Sequence, residues 1–324
     1  MKIGLTYDLR SDYLAQGYSL EETAEFDAEV TVATLEESLR LCGHSTERIG
    51  SADALVRRLA RGDRWDFVFN ICEGLRGLGR EALVPALLDH YGIPYSFSDP
   101  LVLALTLHKG WTKTFVRAAG LPTADFLVYE KRSDLERLTF GAPYFVKPVA
   151  EGTGKGCTAK SIVRERAALG DVCDELVARF RQDVLIESFL PGREFTVGIV
   201  GTGEAATVVG SMEIHLNAGA DREIYSYDNK AEYQQRVTYQ KCRPQDDPAA
   251  AAAEDLALRA WKILRCRDGG RIDIRCDASQ NPMFLEVNPL AGLNPQDSDL
   301  PILARMQGIS YHDLIRRIMD SATA

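Results

Sequence analysis

An excess of positive charge is what this sequence most clearly lacks. Its 324 residues include 38 Lys and Arg against 47 Asp and Glu, which gives a formal net charge of −9. Proteins that hold a nucleic-acid backbone neutralise its phosphates with a basic surface. The negative net charge argues against a nucleic-acid partner, yet it permits a nucleotide ligand, which needs only a few local cations.

Long apolar runs and paired cysteines are also missing. No apolar run approaches about 18 residues, the length that would suggest a membrane span, and the opening MKIGLTYDLR shows no signal-peptide pattern. The seven cysteines are scattered without a CxxC pair, which is typical of reduced thiols rather than of a disulfide framework or a zinc site. We therefore expect a cytoplasmic protein without a membrane partner.

Two common nucleotide-binding fingerprints are absent as well. The pattern GxxxxGK[ST] does not occur, and no GxGxxG follows the first predicted strand, where LTYDLRSDY lacks glycine. This argues against a nicotinamide oxidoreductase, although the N-terminal region has the right alternation. Strand-like segments there, such as KIGLTYD, WDFVFNICEG and IPYSFSD, alternate with helical ones, which predicts a parallel sheet covered by helices.

The pattern changes near residue 100, where we place a domain boundary, and it changes again from residue 143; after a first region at 1–99 we describe a second at 100–182 and a third at 183–324. The second begins with a predicted helix, PLVLALTLHKGWTKTFVRAAG, and contains the strand-like PYFVKPV and CTAKSIV around a glycine-rich loop. In the third, VLIESFL and EFTVGIVG are predicted as two strands around the turn PGR. The helix DDPAAAAAEDLALRAWKILRC, rich in strong helix formers, then precedes a hairpin and a closing helix.

The hairpin at 270–289, GRIDIRCDASQNPMFLEVNP, carries charge within apolar strands. Its polar turn predicts three cross-strand pairs, Asp277 with Pro282, Asp273 with Glu286, and Arg271 with Asn288. Because side chains alternate between the two faces of a strand, one face is predicted to hold Arg271, Asp273, Glu286 and Asn288. The other face is predicted to be apolar and to hold Ile272, Ile274, Met283, Leu285 and Val287.

Two carboxylates directly opposite each other repel, which disfavours the predicted pair Asp273–Glu286 unless a cation lies between them. Carboxylates and an amide oxygen are the hard ligands that Mg²⁺ accepts. The alternative is a solvated hairpin face whose charge is partly offset by Arg271 and Arg275. The hairpin alone leaves both interpretations open.

The loop AEGTGKG indicates phosphate binding, because successive glycines let backbone N–H groups approach an anion closely. Lys147 strengthens this interpretation, since a lysine in an apolar strand needs an anionic partner or a route to solvent. Lys109, near the end of an apolar helix, is a second such cation. A glycine-rich turn flanked by a surface lysine is the simpler alternative.

Glu187 and Glu194 bracket the PGR turn between two apolar strands. Carboxylates near a strand end can accept hydrogen bonds from ribose hydroxyls, as they do in dinucleotide sites. Taken alone, the pair is explained equally by two acids at the rim of a sheet.

Several segments in chain order resemble the ATP-grasp superfamily, and within it the D-alanine–D-alanine ligase branch: Lys109, FVKP, EGTGKG, VLIESFLPGREFTVGI, YSYDNK, GRIDI and FLEVN. The resemblance runs along the whole chain and is strongest from about 105 to 292. It implies an α/β (α+β) fold of three domains, in which a Rossmann-like parallel-sheet domain at 1–99 precedes two α+β domains, at 100–182 and 183–324, that clasp ATP. It also implies an ADP-forming ligase that joins amino acids or small peptides through an acyl phosphate, and a homodimer.

The resemblance implies a role for each motif residue. The residues implied for ATP binding are Lys109, Lys147, Glu151, Gly152, Thr153, Gly154, Gly156, Glu187, Leu190 and Glu194. Those implied for two Mg²⁺ ions, for which Mn²⁺ can substitute, are Asp273, Glu286 and Asn288. Those implied for catalysis are Arg271, Tyr225 and Lys230. Those implied for substrate binding are Glu25, Glu73, Tyr227, Gly292 and Ser298.

The substrate residues depart from the family pattern. Glu73, in NICEG, stands where the D-alanine ligases have a histidine, and a carboxylate there would repel a substrate carboxylate or attract an amine. Thr153 and Gly154 replace a serine pair, and the segment before Ser298 is one residue longer. The sequence therefore predicts the ligase mechanism and leaves D-alanine open as a substrate. The alternative is a non-catalytic ATP-binding regulatory protein of the same fold, which would not need Arg271.

Overall fold

The computed structural model describes residues 1–216 and 237–324. The N-terminal part is a parallel sheet in the order β2-β1-β3, formed by β1 (Lys2–Tyr7), β2 (Ser45–Gly50) and β3 (Phe67–Ile71). Its helices are α1 (Arg10–Ala15), α2 (Glu29–Leu41), α3 (Ala52–Ala60) and α4 (Leu83–Tyr91). All of β3 is buried, with Phe67 and Phe69 facing α2 and Val68 facing α3 and α4. The predicted alternation of strands and helices is confirmed.

The segment IPYSFSD is not the strand that the sequence predicts. It pairs with β3 only at the bridge between Val68 and Tyr95. Phe97 then adopts a left-handed backbone with φ of 70°, which ends the extended run, and Asp99 caps the next helix through Val102 N.

The middle part forms an antiparallel sheet in the order β4-β7-β5-β6. Its elements are α5 (Pro100–Leu107), α6 (Lys109–Ala118), β4 (Phe126–Tyr129), β5 (Tyr144–Pro148), β6 (Ile162–Val163), α7 (Arg166–Phe180) and β7 (Val184–Ser188). The helix predicted across 100–120 is broken at His108, which leaves helical geometry and caps α6 by accepting from Trp111 N. A 3₁₀ helix at Ala159–Ser161 occupies the middle of CTAKSIV, so only β6 remains of that predicted strand.

The C-terminal part is an antiparallel sheet in the order β10-β9-β8-β11-β12. Its elements are β8 (Glu194–Val200), β9 (Thr207–Leu216), β10 (Val237–Lys241), α8 (Pro248–Ile263), β11 (Gly269–Cys276), β12 (Pro282–Asn288), α9 (Asp299–Met306) and α10 (Tyr311–Ala322). The core under this sheet is built around the wholly buried Trp261 of α8. No helix among the described residues is long and apolar enough to cross a bilayer.

The two strands around PGR do not form a hairpin. β7 pairs with β4 and β5, whereas β8 pairs with β9 and β11. The turn therefore carries the chain from one antiparallel sheet to the other. This crossing places Glu187 and Glu194 on different sheets that face a common space.

The hairpin register is confirmed at its charged end and wrong at its turn. Arg271 pairs with Asn288 and Asp273 with Glu286, but Pro282 pairs with Cys276 rather than with Asp277. A bulge accounts for the difference, because Leu285 has no partner between the pairs Asp273–Glu286 and Ile274–Phe284. The bulge turns Phe284 into the core, where it is wholly buried.

Candidate active site between the antiparallel sheets

A cavity of about 860 Å³ opens between the two antiparallel sheets, and residues of both line its wall. The middle sheet and its loops contribute Phe145, Lys147, Glu187 and Leu190. The C-terminal sheet contributes Glu194, Ile214, Asp273, Leu285 and Glu286. An apolar part and a strongly charged part thus share one cavity, as a nucleotide with its base and phosphates requires.

Most of the residues predicted to hold ATP line this cavity: Lys109, Lys147, Glu151, Gly154, Glu187, Leu190 and Glu194. So do the predicted Arg271, Asp273 and Glu286. A second cavity, of about 2370 Å³, takes in Gly152, Thr153, Asn288, Glu25, Glu73, Gly292 and Ser298. Of the predicted residues that the structure describes, Gly156 lines neither and lies against Pro148 and Phe180. Tyr225, Tyr227 and Lys230 fall outside the described residues.

The two cavities join, because Lys109, Glu151, Arg271 and Glu286 line both. A group bound in the charged part of the smaller cavity would therefore face a molecule in the larger one. This is the arrangement that transfer between a nucleotide and a second substrate requires.

The apolar part of the smaller cavity depends on the bulge in β12. Leu285 was expected on the core face of the hairpin, and the structure instead places it in the cavity wall. Leu190, from the loop after β7, and Phe145 complete an apolar surface suited to a flat base. At the rim, Glu194 Oε2 lies 3.1 Å from Arg275 Nη1. The sequence pattern missed Leu285 because a one-residue bulge reverses the alternation beyond it.

Beneath this wall lies a buried chain of charges. The Nζ of Lys113 lies 2.6 Å from Glu187 Oε1, and the Nζ of Lys147 lies 3.0 Å from Glu187 Oε2. Burial alone would raise the pKa of Glu187, but the two ammonium groups lower it below its ordinary value. Burial disfavours the charged form of Lys113 and lowers its pKa, whereas Glu187 and Glu286 outweigh burial at Lys147 and raise its pKa. Glu187 is thereby held as an anion.

Lys113 was not among the predicted site residues. It follows Lys109 by four positions in HKGWTK, so both lie on one side of α6. Its Nζ also donates to Thr123 Oγ1 at 2.9 Å and to the carbonyl of Phe284 at 3.1 Å. Lys113 therefore ties α6, β7 and the start of the β12 bulge together.

The glycine-rich loop is fastened to the N-terminal part of the molecule. The N–H of Gly152 donates to Glu25 Oε1 at 2.6 Å, and Arg80 donates to Glu25 Oε2 at 2.8 Å. The Nζ of Lys155 lies 2.6 Å from Glu151 Oε2 and 3.3 Å from Glu25 Oε1. A Cβ at Gly152 would stand 2.6 Å from that same Glu25 oxygen, so the contact requires glycine. Arg80 and Lys155 were not predicted, although Lys155 is part of the loop.

Glu25 is an anion because of these contacts. Burial alone would raise its pKa, but Arg80 and Lys155, with the hydrogen bond from Gly152, hold the pKa of Glu25 at about 2. The carboxylate lines the larger cavity while its oxygens are engaged by the loop. A substrate ammonium would have to compete with three existing donors for it.

The paired carboxylates of the hairpin face the charged part of the smaller cavity. Asp273 accepts from Thr196 Oγ1 at 2.9 Å and forms an ion pair with Arg271, while Glu286 Oε2 lies 3.7 Å from Lys109 Nζ and 3.8 Å from Lys147 Nζ. No three His, Cys, Asp or Glu side chains in the described part of the chain converge on a metal position. Two carboxylates, the Asn288 amide oxygen and phosphate oxygens nevertheless form an all-oxygen set that fits Mg²⁺.

Comparisons with known proteins agree with this geometry. Residues 115–320 match the family model described as D-ala D-ala ligase C-terminus. The chain is 35% identical over 248 residues to a D-alanine–D-alanine ligase of Ralstonia pickettii (strain 12J), covering 76% of this chain and 72% of that protein. It is 32% identical over 311 residues to the uncharacterized protein y4sG of Sinorhizobium fredii (strain NBRC 101917 / NGR234), covering 91% and 87%.

A solved structure confirms the fold class. The crystal structure of a D-alanine–D-alanine ligase from Bacillus anthracis complexed with ATP superposes with a TM-score of 0.72 at 22% identity. The match covers 100% of this chain and 97% of that one. The predicted order of a parallel sheet followed by two α+β parts is therefore confirmed for the residues that the structure describes.

Proposed function

The chain belongs to the D-alanine–D-alanine ligase family and is an ATP-dependent ligase that forms peptide bonds; we propose that it joins amino acids or small peptides through an acyl-phosphate intermediate in the two joined cavities. The relatives that are named as D-alanine–D-alanine ligases favour an enzyme over the non-catalytic alternative. The proposal includes three domains, at 1–99, 100–182 and 183–324, and a homodimer. Although β7 lies at the start of the third range, it completes the sheet of the middle part.

One observation carries the proposal. The ammonium groups of Lys109 and Lys147 lie 3.7 and 3.8 Å from the same oxygen of Glu286, at the wall of a cavity that also holds Asp273. Cations suited to phosphate oxygens and carboxylates suited to a divalent cation thus meet at one place. A triphosphate with its metal satisfies both sets, because phosphoryl transfer depends on positioning and charge neutralisation.

Asp273, Glu286 and Asn288 would hold Mg²⁺, with Mn²⁺ able to replace it. Bound there, the ions would offset part of the negative charge of the triphosphate. Lys109 and Lys147 would orient the triphosphate from the opposite side. The loop from Glu151 to Gly156 would cover it and exclude water, which would otherwise hydrolyse an acyl phosphate.

The proposed reaction has two steps. A substrate carboxylate oxygen attacks the γ-phosphorus of ATP, the bond to the bridging oxygen breaks, and ADP leaves. The amine of the second substrate then attacks the acyl carbonyl, loses a proton and expels inorganic phosphate. Arg271 lines both cavities and can donate to the oxyanion that develops in the second step. Tyr225, Tyr227 and Lys230 remain predictions for substrate orientation and phosphate contact.

The test is ADP release from MgATP with D- and L-amino acids supplied singly and in pairs, with the products weighed by mass spectrometry. ADP formed together with a dipeptide mass is the expected result. Binding of ATP without ADP formation or a ligated product across the whole panel would contradict the proposal.

A further inference from the structure

Three carboxylates in the larger cavity form no ion pair within the part of the chain that the structure describes. Asp27, Glu73 and Glu81 line it, and among the described residues no Lys, Arg or His nitrogen lies within 4.0 Å of any of them. Arg10, which lines the same cavity, donates instead to the carbonyls of Thr23 and Ala24. Within the described residues these acids therefore have no ion-pair partner, although Arg10, Arg80 and Lys109 act on them from farther away. We call the three acids the acidic end.

Several other acids of the cavity have ion-pair partners. Glu25 has Arg80 and Lys155, Glu151 has Lys155, and Asp299 has Arg271 at 3.7 Å and accepts from Tyr239. The imbalance is therefore local to the acidic end. It also bears on substrate binding, because Glu25 is already engaged by the glycine-rich loop.

The acidic end is unfavourable while nothing positive is bound. Burial, with Glu81 and Glu25 nearby, raises the pKa of Glu73 well above its ordinary value. Burial raises the pKa of Glu81 to about 7, and burial with Asp8 nearby raises that of Asp27 to about 8. A cation placed among them would favour the ionised forms.

Three carboxylates without an ion-pair partner among the described residues suit an ammonium or guanidinium group, because each can accept charge-assisted hydrogen bonds from it. The larger cavity adjoins the smaller one, because Lys109, Glu151, Arg271 and Glu286 line both.

We propose that the acidic end binds a cationic side chain, so that one substrate of this ligase is an amino acid or small peptide with a second ammonium or guanidinium group. This rests on the proposed function and names the substrate class of the same site. Glu73 and Glu81 are the specificity-determining residues. Neutral amino acids of equal length would leave the carboxylates unpaired and bind more weakly.

The test compares amino acids that differ only in the side-chain cation. ADP release and product mass are measured with the full chain and MgATP for lysine against norleucine and ornithine against norvaline, as D and L forms. We expect kcat/KM to be at least about tenfold higher for the cationic member of a pair, the scale of one charge-assisted hydrogen bond. Glu73→Gln and Glu81→Gln should each lower that ratio through KM, while Glu37→Gln, on the exposed face of α2, should not change it.

The outcomes separate the two proposals. Ligated products with equal or higher kcat/KM for the neutral amino acids would overturn the cationic substrate and leave the ligase intact. No ligated product with any amino acid would overturn both. An unchanged melting temperature for Glu73→Gln shows that a lowered ratio comes from binding rather than from unfolding.

Discussion

The Nζ of Lys113 lies 2.6 Å from Glu187 Oε1, and both side chains are buried. Neither residue can reach solvent, so each fixes the charge of the other. Lys113 also donates to the carbonyl of Phe284, next to the bulged Leu285. A buried ion pair that the sequence motifs did not identify thus supports the wall of the smaller cavity, where we propose that the nucleotide binds.

Replacing Lys113 should weaken both the fold and nucleotide binding. Lys113→Met leaves Glu187 with Lys147 as its remaining ion-pair partner, and breaking a buried pair costs about 3–5 kcal/mol. We expect the free energy of unfolding in urea to fall on that scale and KM for ATP to rise. Replacing both partners with methionine should recover part of the lost stability. The exposed Lys160→Met is the matched control, and equal stability of the two single variants would contradict this role.

Glu25 should contribute stability that depends on pH in a defined window. Its pKa is held at about 2 in the folded protein, against an ordinary value of 4.5. A lowered folded pKa gives stability that is fully present above about pH 4.5 and is lost as pH falls toward 2, with an upper limit of roughly 3 kcal/mol. The measurement is the difference in unfolding free energy between the wild-type chain and Glu25→Gln at several pH values. The difference should shrink as the solution is acidified, and a difference independent of pH would show that the carboxylate is not held as an anion.

The bulge in β12 predicts opposite effects for two adjacent residues. Phe284→Ala should cost about 3–5 kcal/mol of stability, because it empties a wholly buried position. Leu285→Ala should leave most of the stability intact and raise KM for ATP by about threefold to tenfold. Urea unfolding and steady-state kinetics on the same two variants check this. The reverse pattern would mean that the strand follows the simple alternation without a bulge.

Much of the fold could be predicted from the periodicity of apolar residues and from the order of strand-like and helical segments. The alternation in the first hundred residues predicted the parallel sheet, and period-two alternation predicted that Asp273 faces Glu286. Both follow from local geometry, because helices and strands repeat with fixed periods. The pairing partners of β7 and β8 could not be predicted, because the sequences of two strands on either side of a short turn do not indicate which sheet each strand joins.

The missed site residues share a physical cause. Leu285 reaches the cavity only because one extra residue is accommodated between two ladder pairs, and packing of Phe284 decides that. The roles of the other three residues depend on ion pairs with acids that are distant in sequence. Arg80 and Lys155 pair with Glu25, and Lys113 pairs with Glu187. Single lysines and arginines in helices or loops usually lie on the surface, so composition gives no reason to choose them.

The most direct test of the account is ADP formation by the double variant Asp273→Asn with Glu286→Gln. The double variant Asp246→Asn with Glu136→Gln, two exposed acids outside both cavities, is the control. Amide side chains keep the shape of the site and remove the charges that would hold Mg²⁺. The account predicts that the site variant stays folded and loses ADP and peptide formation, while the control retains both. Peptide formation at the wild-type rate by the site variant would contradict the assignment of the active site.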